Sequence, residues 1–329
     1  MTLLAPTLEA FFTERLMSQK NASPHTIASY RDCLRLLLTF VHDTTGKPPS
    51  ALHINDLDAS TIAAFLDHLE QHRGLCVASR NTRLAAVRSL FRFAALRHPE
   101  HSAGIQRVLA IPAKQGDRAL VCFLTPDEVD ALLASPDRGT RIGRRDHVLL
   151  AVAVQTGLRV SELTELRRSD IHLGTGAHLT CRGKGRRERA TPLTRGTVSV
   201  LRTYLAEPGG GPDDPLFTGP HGDALGRDAV RRLVQRHTRA AVPRCPSLAN
   251  KIVSPHVLRH TCAMRLLESG CDLATIALWL GHQNVATSQI YLHAHMALKE
   301  KAIARTAPPG VRPGRYRPPD KLLAFLEQL

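Results

Sequence analysis

Six residues in the second half of the chain carry side chains that could together break a phosphodiester bond: Arg159, Lys184, His256, Arg259, His282 and Tyr291. A tyrosine hydroxyl can act as the nucleophile, although its unperturbed pKa of about 10 requires a nearby base and cations. Arginine can bind two phosphoryl oxygens at once, which lysine cannot do. No carboxylate cluster accompanies these residues, so the set predicts chemistry without a metal or cofactor.

Two of the six residues lie at the start of one predicted helix. Ser254-Pro255 is a strong helix start, with serine as the cap and proline in the first turn. His256 and Arg259 follow, three residues apart, so both side chains point to the same face of the helix. Arg159 comes from a different helix, and we expect the two guanidinium groups to meet at one phosphate.

Lys184 lies in a predicted β-hairpin. The segments His178–Arg182 and Arg187–Leu193 read as strands joined around Gly183-Lys184-Gly185. A flexible ammonium group at the tip of this hairpin could protonate a leaving oxygen, which matters because an alkoxide is a poor leaving group. The alternative is that Lys184 merely coats a polyanion together with its basic neighbours Arg182, Arg186, Arg187 and Arg189.

These residues occur within separated motifs in a fixed order: Thr156–Leu163, Arg182–Arg189, His256–His260, Leu280–His282, and Tyr291 nine residues beyond. In motif order and spacing the chain resembles the tyrosine recombinases, the phage integrase family. The resemblance implies that Tyr291 is the nucleophile, Lys184 the general acid for the 5′-oxygen, and Arg159 and Arg259 the phosphate ligands. It also implies that His282 donates a hydrogen bond and that His256 exchanges a proton with the tyrosine hydroxyl. Glu162 and His260 are expected to support these groups.

The resemblance implies a site-specific DNA recombinase, either Xer-like or carried by a mobile element. Such an enzyme cleaves and rejoins double-stranded DNA through a 3′-phosphotyrosine intermediate, with four protomers on two duplexes and with possible accessory proteins. The reaction would serve integration, excision or transposition. Two alternatives stay open: a type IB topoisomerase-like enzyme, and a non-catalytic DNA-binding protein on the same fold. A zinc site at His256 and His260 is disfavoured, because no glutamate follows the first histidine and no third ligand is evident.

Composition agrees with a nucleic-acid partner without proving one. The 329 residues carry a formal net charge of +15, and each phosphate neutralised by a cation releases condensed counterions. The seven cysteines are odd in number and form no Cys-x-x-Cys pair, which favours reduced thiols in the cytoplasm. The longest clear apolar run, Val148–Val154, is too short to span a bilayer, so we expect no membrane association.

The patterns predict a mainly α fold with a small β-sheet. Helical spacing continues from residue 1 to about 110, which the resemblance identifies as a core-binding, SAM-like DNA-binding domain. Residues 118–305 would form the mixed α/β catalytic domain, opened by a capping box at Thr125-Pro-Asp-Glu128. In the predicted helix Ser79–Arg97, five arginines either follow a DNA backbone or are ordinary solvated side chains: Arg80, Arg83, Arg88, Arg92 and Arg97.

Residues 306–329 are predicted to be a C-terminal arm. A proline-rich stretch is followed by a short helix, Asp320–Leu329, that carries five apolar side chains. So short a helix is hardly stable alone in water, so it must bury this face. It would dock either on its own catalytic domain or on a neighbouring protomer, as related recombinases do.

Overall fold

The structure is a computed structural model that describes residues 2–116, 121–183, 188–208, 210–282, 284 and 290–291. The chain divides into two compact units, Met1–Arg118 and Ala119–Leu329. We call them the amino-terminal and the carboxy-terminal unit. Both are mainly helical, and the carboxy-terminal unit contains a small sheet, so the predicted fold class is confirmed. The finer domain limits stay predictions, and the predicted arm, 306–329, lies outside the described residues.

The described part of the amino-terminal unit contains five α-helices, and a π-helical stretch, Phe11–Gln19, continues the first. The helices are α1 (Leu4–Ala10), α2 (Pro24–Thr45), α3 (Ala59–Gln71), α4 (Val77–Arg97) and α5 (Ser102–Ala110). Helix α2 begins after Ser23, whose hydroxyl accepts the backbone N–H of Thr26. Stacked aromatic rings of Phe11 and Tyr30 form part of the core between these helices.

The arginines of α4 mostly bind the unit's own carbonyls and carboxylates. Arg80 is buried and donates to Pro112 O at 3.2 Å, Arg83 donates to Ser29 O at 3.2 Å, and Arg88 donates to Ile111 O. Arg97 pairs with Glu14, whereas Arg92 is exposed. Four of the five arginines therefore bind groups of their own unit, and the alternative that they follow a DNA backbone stays a prediction.

The carboxy-terminal unit contains seven α-helices among its described residues. They are α6 (Pro126–Leu133), α7 (Arg141–Thr156), α8 (Val160–Glu165), α9 (Arg195–Leu205), α10 (Arg227–Ala241), α11 (Pro255–Glu268) and α12 (Leu273–Leu280). The predicted capping box opens α6: Thr125 N–H donates to Glu128 at 2.8 Å, and Glu128 N–H donates to the Thr125 hydroxyl at 3.4 Å. Both bonds satisfy amides that a helix start leaves unpaired.

The sheet is antiparallel, in the order β1 (Ile171–His172), β2 (His178–Arg182) and β3 (Glu188–Pro192). Cys181 pairs with Arg189 across the hairpin of β2 and β3. The predicted strands pair as a hairpin, and β3 ends at Pro192, one residue earlier than expected. Residues 184–187 lie outside the described residues, so the turn itself is not placed.

Helix α7 is the centre of the carboxy-terminal core. Its segment Val148–Val154 is apolar on every side, and α6, α9 and α11 pack against it and bury it. The helix ends at Gly157, whose φ of +64° gives a left-handed cap. Helix α12 ends in the same way at Gly281, with φ of +65°. Within the described parts of the chain, no helix has the length and apolar character needed to cross a bilayer.

Candidate active site

Arg259 joins the ends of two helices. The side chain projects from α11 and is only 3% exposed. Its Nη1 donates to Gly157 O and its Nη2 to Leu280 O, both at 2.7 Å. These carbonyls belong to helix ends, where acceptors lack partners within the helix and where the helix dipole favours a cation. Burial, together with the charge of nearby Arg159, lowers the pKa of Arg259 to about 10, so the group stays charged at neutral pH.

Arg159 is held beside Arg259. It caps the start of α8, and its backbone N–H donates to Glu162 at 2.8 Å. In the side chain, Nη1 donates to Glu162 at 2.8 Å and Nη2 donates to Gly281 O at 3.0 Å. The two arginines therefore bind consecutive carbonyls, those of Leu280 and Gly281. The sequence prediction that these guanidinium groups lie together agrees with this geometry.

Glu162 fixes the orientation of two cations. It is buried, and besides Arg159 it accepts two hydrogen bonds from Arg189 on β3, at 3.0 and 2.8 Å. Burial alone would raise the pKa of Glu162, but hydrogen bonds from Arg189 and from the Arg159 amide lower it overall. The carboxylate thus stays ionised, and the expectation that Glu162 supports Arg159 matches these contacts.

Tyr291 is buried against α11. Only 1% of the side chain is exposed, and it packs with apolar residues of α11 and α12, such as Cys262 and Leu280. The hydroxyl lies 3.2 Å from Nδ1 of His260, and the two rings meet edge to face with centroids 5.6 Å apart. Burial raises the pKa of the phenol, while the positive charge of Arg259 opposes that rise.

The histidines lie around the same point. The ring of His256 meets that of His260 edge to face at 4.7 Å. Partial burial lowers the pKa of His256, and Arg259 and Arg159 lower it further. His282 follows Gly281, and burial, with the adjacent arginines, lowers its pKa to about 4. The sequence favoured His256 as the partner of the tyrosine hydroxyl, but the structure places His260 in that contact.

The structure brings together five of the six predicted residues: Arg159, His256, Arg259, His282 and Tyr291. Lys184 lies outside the described residues, so its predicted role stays a prediction. Among the residues that the structure describes, no group of three His, Cys, Asp or Glu side chains could hold a metal ion.

Sequence reasoning missed the bonds of Arg189 to Glu162, and it gave His260 a supporting role without its contact with the tyrosine hydroxyl. For Arg189 the available signal was its position on β3, where alternate side chains face inwards. For His260 it was the four-residue spacing from His256, which places both rings on one face of α11. Neither signal identifies the partner, because Glu162 and Tyr291 are distant in sequence.

Comparison with known proteins extends the likeness to almost the whole chain. Residues 122–297 match the Phage integrase family, and residues 10–98 match the Phage integrase, N-terminal SAM-like domain. A protein of Sinorhizobium fredii, provisionally named integrase/recombinase y4rC, is 55% identical and covers 99% of this chain and 98% of its own. Tyrosine recombinase XerC of Pelobacter propionicus is 35% identical, covering 87% of this chain and 90% of its own.

Solved structures show the same fold. XerH site-specific recombinase bound to difH in a post-cleavage complex aligns with a TM-score of 0.68 at 24% identity, over 89% of this chain and 83% of its own. The Tn1549 transposon integrase in complex with circular intermediate DNA also gives 0.68, at 16% identity, over 92% of this chain and 99% of its own. Together with the sequence matches, these findings show that the chain belongs to the phage integrase family of tyrosine-type site-specific recombinases.

Proposed function

We propose that this recombinase cleaves and rejoins double-stranded DNA through a 3′-phosphotyrosine at Tyr291, in the service of a mobile element. The observation that carries the proposal is the pair of arginines on consecutive carbonyls, beside a tyrosine hydroxyl held by a histidine. Such a pair offers several N–H donors to one phosphate. No described carboxylate competes for this position, because Glu162 is already committed to Arg159 and Arg189.

In the proposed cleavage step, Tyr291 Oη attacks the scissile phosphorus and the bond to the 5′-oxygen breaks. Arg159, Arg259 and His282 hold the charge that builds on the phosphoryl oxygens, and removing one such donor typically slows a reaction by about 10²–10³. Lys184 protonates the leaving oxygen. Rejoining reverses the step, with the 5′-hydroxyl of the partner strand attacking the phosphotyrosine. The energy of the broken bond is retained, so no nucleotide cofactor is required.

The two arginines are held in place before DNA binds, so their side chains need little reorganisation when a phosphate arrives, and this favours the proposed chemistry. The two carbonyl bonds of Arg259 use two of its five N–H donors and leave the others to a phosphate. Burial and, after it, the charge of Arg159 lower the pKa of Arg259, and an anion bound between the two arginines relieves their repulsion. The site is therefore arranged for a phosphate before any DNA arrives.

The proposed partners are duplex DNA carrying specific sites and three further copies of the chain, acting in the bacterial cytoplasm. The net charge of +15 favours DNA. Relatives support the choice of substrate, since XerH is bound to difH and the Tn1549 integrase to circular intermediate DNA. Accessory proteins could direct the outcome, and the arm, residues 306–329, would join protomers in the tetramer.

The nucleophile can be tested with Tyr291→Phe on a duplex nicked near the cleavage position, which traps the covalent adduct. We expect binding to persist and the adduct to disappear, because only the attacking oxygen is removed. Tyr204→Phe is the matched control: Tyr204 belongs to the same unit, and its hydroxyl donates to Leu216 O at 3.0 Å. An adduct of undiminished yield with Tyr291→Phe would show that another residue is the nucleophile.

A further inference from the structure

The residue that contacts the tyrosine hydroxyl is not one of the six residues of the sequence motif set. We infer that His260 Nδ1 holds the Tyr291 hydroxyl before cleavage and accepts its proton as Oη attacks the phosphorus. The inference rests on the proposed function, in which Tyr291 is the nucleophile. From the sequence we expected His256 to exchange a proton with the tyrosine hydroxyl, and the inference gives that role to His260.

The position of His260 is fixed by the phosphate-binding residues themselves. Its neighbour in the chain, Arg259, is tied through two carbonyls to the ends of α7 and α12. The start of α11 is capped by the Ser254 hydroxyl, which accepts the N–H of Val257 at 3.4 Å. Since α11 is a rigid element, the Nδ1 atom that lies 3.2 Å from Tyr291 Oη is held in register with the arginine that would bind the phosphate.

His256 lies one turn earlier on α11, and its ring meets that of His260. Its contact is with the edge of an imidazole, at 4.7 Å between centroids. This leaves His256 placed near the arginines Arg259 and Arg159, whose charges both act on it. His256 therefore acts at the phosphate, beside the arginines, and His260 acts at the tyrosine hydroxyl.

The two groups do not exchange the proton before DNA binds. Burial, followed by the charges of His256 and Arg259, lowers the pKa of His260 to about 4, whereas burial raises the pKa of Tyr291 above its usual value. Among the residues that the structure describes, the charged and titratable groups around them are His256, Arg259 and Cys262 from α11, Arg159 from the start of α8, and His282 after α12. A phosphate placed between the arginines adds negative charge, which raises the pKa of a neighbouring imidazole. The substrate itself thereby makes His260 a stronger base.

The step balances as follows. The Oη–P bond forms while the Oη–H bond breaks, and the proton moves to Nδ1, which gives an imidazolium. This requires the tautomer of neutral His260 that carries its proton on Nε2. The P–O5′ bond breaks, and the leaving oxygen takes a proton from the general acid. During rejoining, the imidazolium returns its proton to the tyrosine oxygen.

The test compares His260→Asn with His256→Asn, the same change one turn earlier on α11. Asparagine places its amide near the position of Nδ1, so it can keep a hydrogen bond to Oη, but it cannot take up a proton. Each full-length variant is made with tyrosine or with a fluorinated, more acidic tyrosine at position 291. The rate of adduct formation on the nicked duplex is then measured in a single turnover across a range of pH.

We expect His260→Asn to bind DNA normally and to form the adduct about 10²–10⁴ times more slowly. Its rate should rise with pH, and the fluorinated tyrosine should restore at least about tenfold. His256→Asn should also be slow, but the fluorinated tyrosine should not rescue it selectively. A purely structural role of His260 would give a defect that phenol acidity does not change, and that outcome overturns the inference.

Two further outcomes separate the inference from the proposed function. Wild-type rates and pH profile for His260→Asn, with no adduct from Tyr291→Phe, would overturn the role of His260 alone. An adduct from Tyr291→Phe would overturn both. His260→Gln is measured in parallel, so that a folding failure of the asparagine variant, seen by Trp279 fluorescence, leaves a second decisive variant. Selective rescue of His256→Asn would return the role to His256.

Discussion

Alanine at Gly157 should destabilise the carboxy-terminal unit more than its backbone conformation alone explains. Gly157 has φ of +64°, and an added Cβ would lie 2.7 Å from Leu280 Cδ2 and 3.1 Å from Cys262 Cβ. Both contacts are with packed core side chains. The carbonyl of Gly157 also accepts a hydrogen bond from the buried guanidinium of Arg259. Any shift that relieves the crowding would therefore displace that hydrogen bond.

The expected magnitude has two parts. A left-handed conformation costs a residue other than glycine about 1–2 kcal/mol. Overpacking of a filled core typically adds about 1–3 kcal/mol. We therefore expect Gly157→Ala to lower the free energy of unfolding by about 2–5 kcal/mol. Gly176, with φ of +72° and no atom within 4 Å of its added Cβ, is the matched control in the same unit. Gly176→Ala should lose only about 1–2 kcal/mol.

The assay is urea unfolding followed by the fluorescence of Trp279. This is the single tryptophan of the chain, and its Nε1 donates to Thr156 O at 3.2 Å, next to Gly157. The signal therefore reports the carboxy-terminal unit and not the amino-terminal one. Equal unfolding midpoints for the two variants, at equal dependence on urea, would refute the argument that the cap is crowded.

Three further predictions follow from the histidines, the hairpin and the arm. The folded-state pKa values of His260 and His282, about 4, lie below the unfolded value of about 6.5, so stability is fully present above the unfolded pKa. It should fall as pH decreases from 6.5 towards 4, and a flat urea midpoint over that window would contradict this. Lys184→Ala should slow cleavage, and a 5′-thiolate leaving group, which needs little protonation, should restore it; equal defects on both substrates would exclude a general acid. Deletion after Thr306 should preserve binding to one site but impair synapsis, whereas normal two-duplex assembly and recombination would argue against docking between protomers.

Features specified by neighbouring residues could be predicted from sequence. Ser23 and Ser254 begin helices because the signal, a capping hydroxyl before proline, acts within one turn. The capping box of Thr125 and Glu128 is equally local. Gly157 ends α7 for a similarly local reason, since a left-handed cap favours a residue without a side chain.

The partners of the site residues could not be predicted in the same way. That Arg159 and Arg259 bind consecutive carbonyls depends on where α12 ends in space, which no local pattern specifies. The partner of the Tyr291 hydroxyl was assigned to His256 because the motif emphasises that residue. In the structure α11 turns His260 towards the tyrosine instead. The arginines of α4 show the same limit, since their carbonyl partners come from other segments.

The structural role of Arg259 also determines which residues should be lost first when such an enzyme becomes inactive during evolution. Loss of its side chain would leave the buried carbonyls of Gly157 and Leu280 without a donor, a cost that falls on folding whether or not DNA is ever cut. Selection for a folded chain therefore preserves this arginine after activity has gone. The hydroxyl of Tyr291 contacts one imidazole, that of His260, and phenylalanine would fill the same space, so its loss costs less in folding. In an inactive descendant, the tyrosine oxygen should be lost long before the arginine.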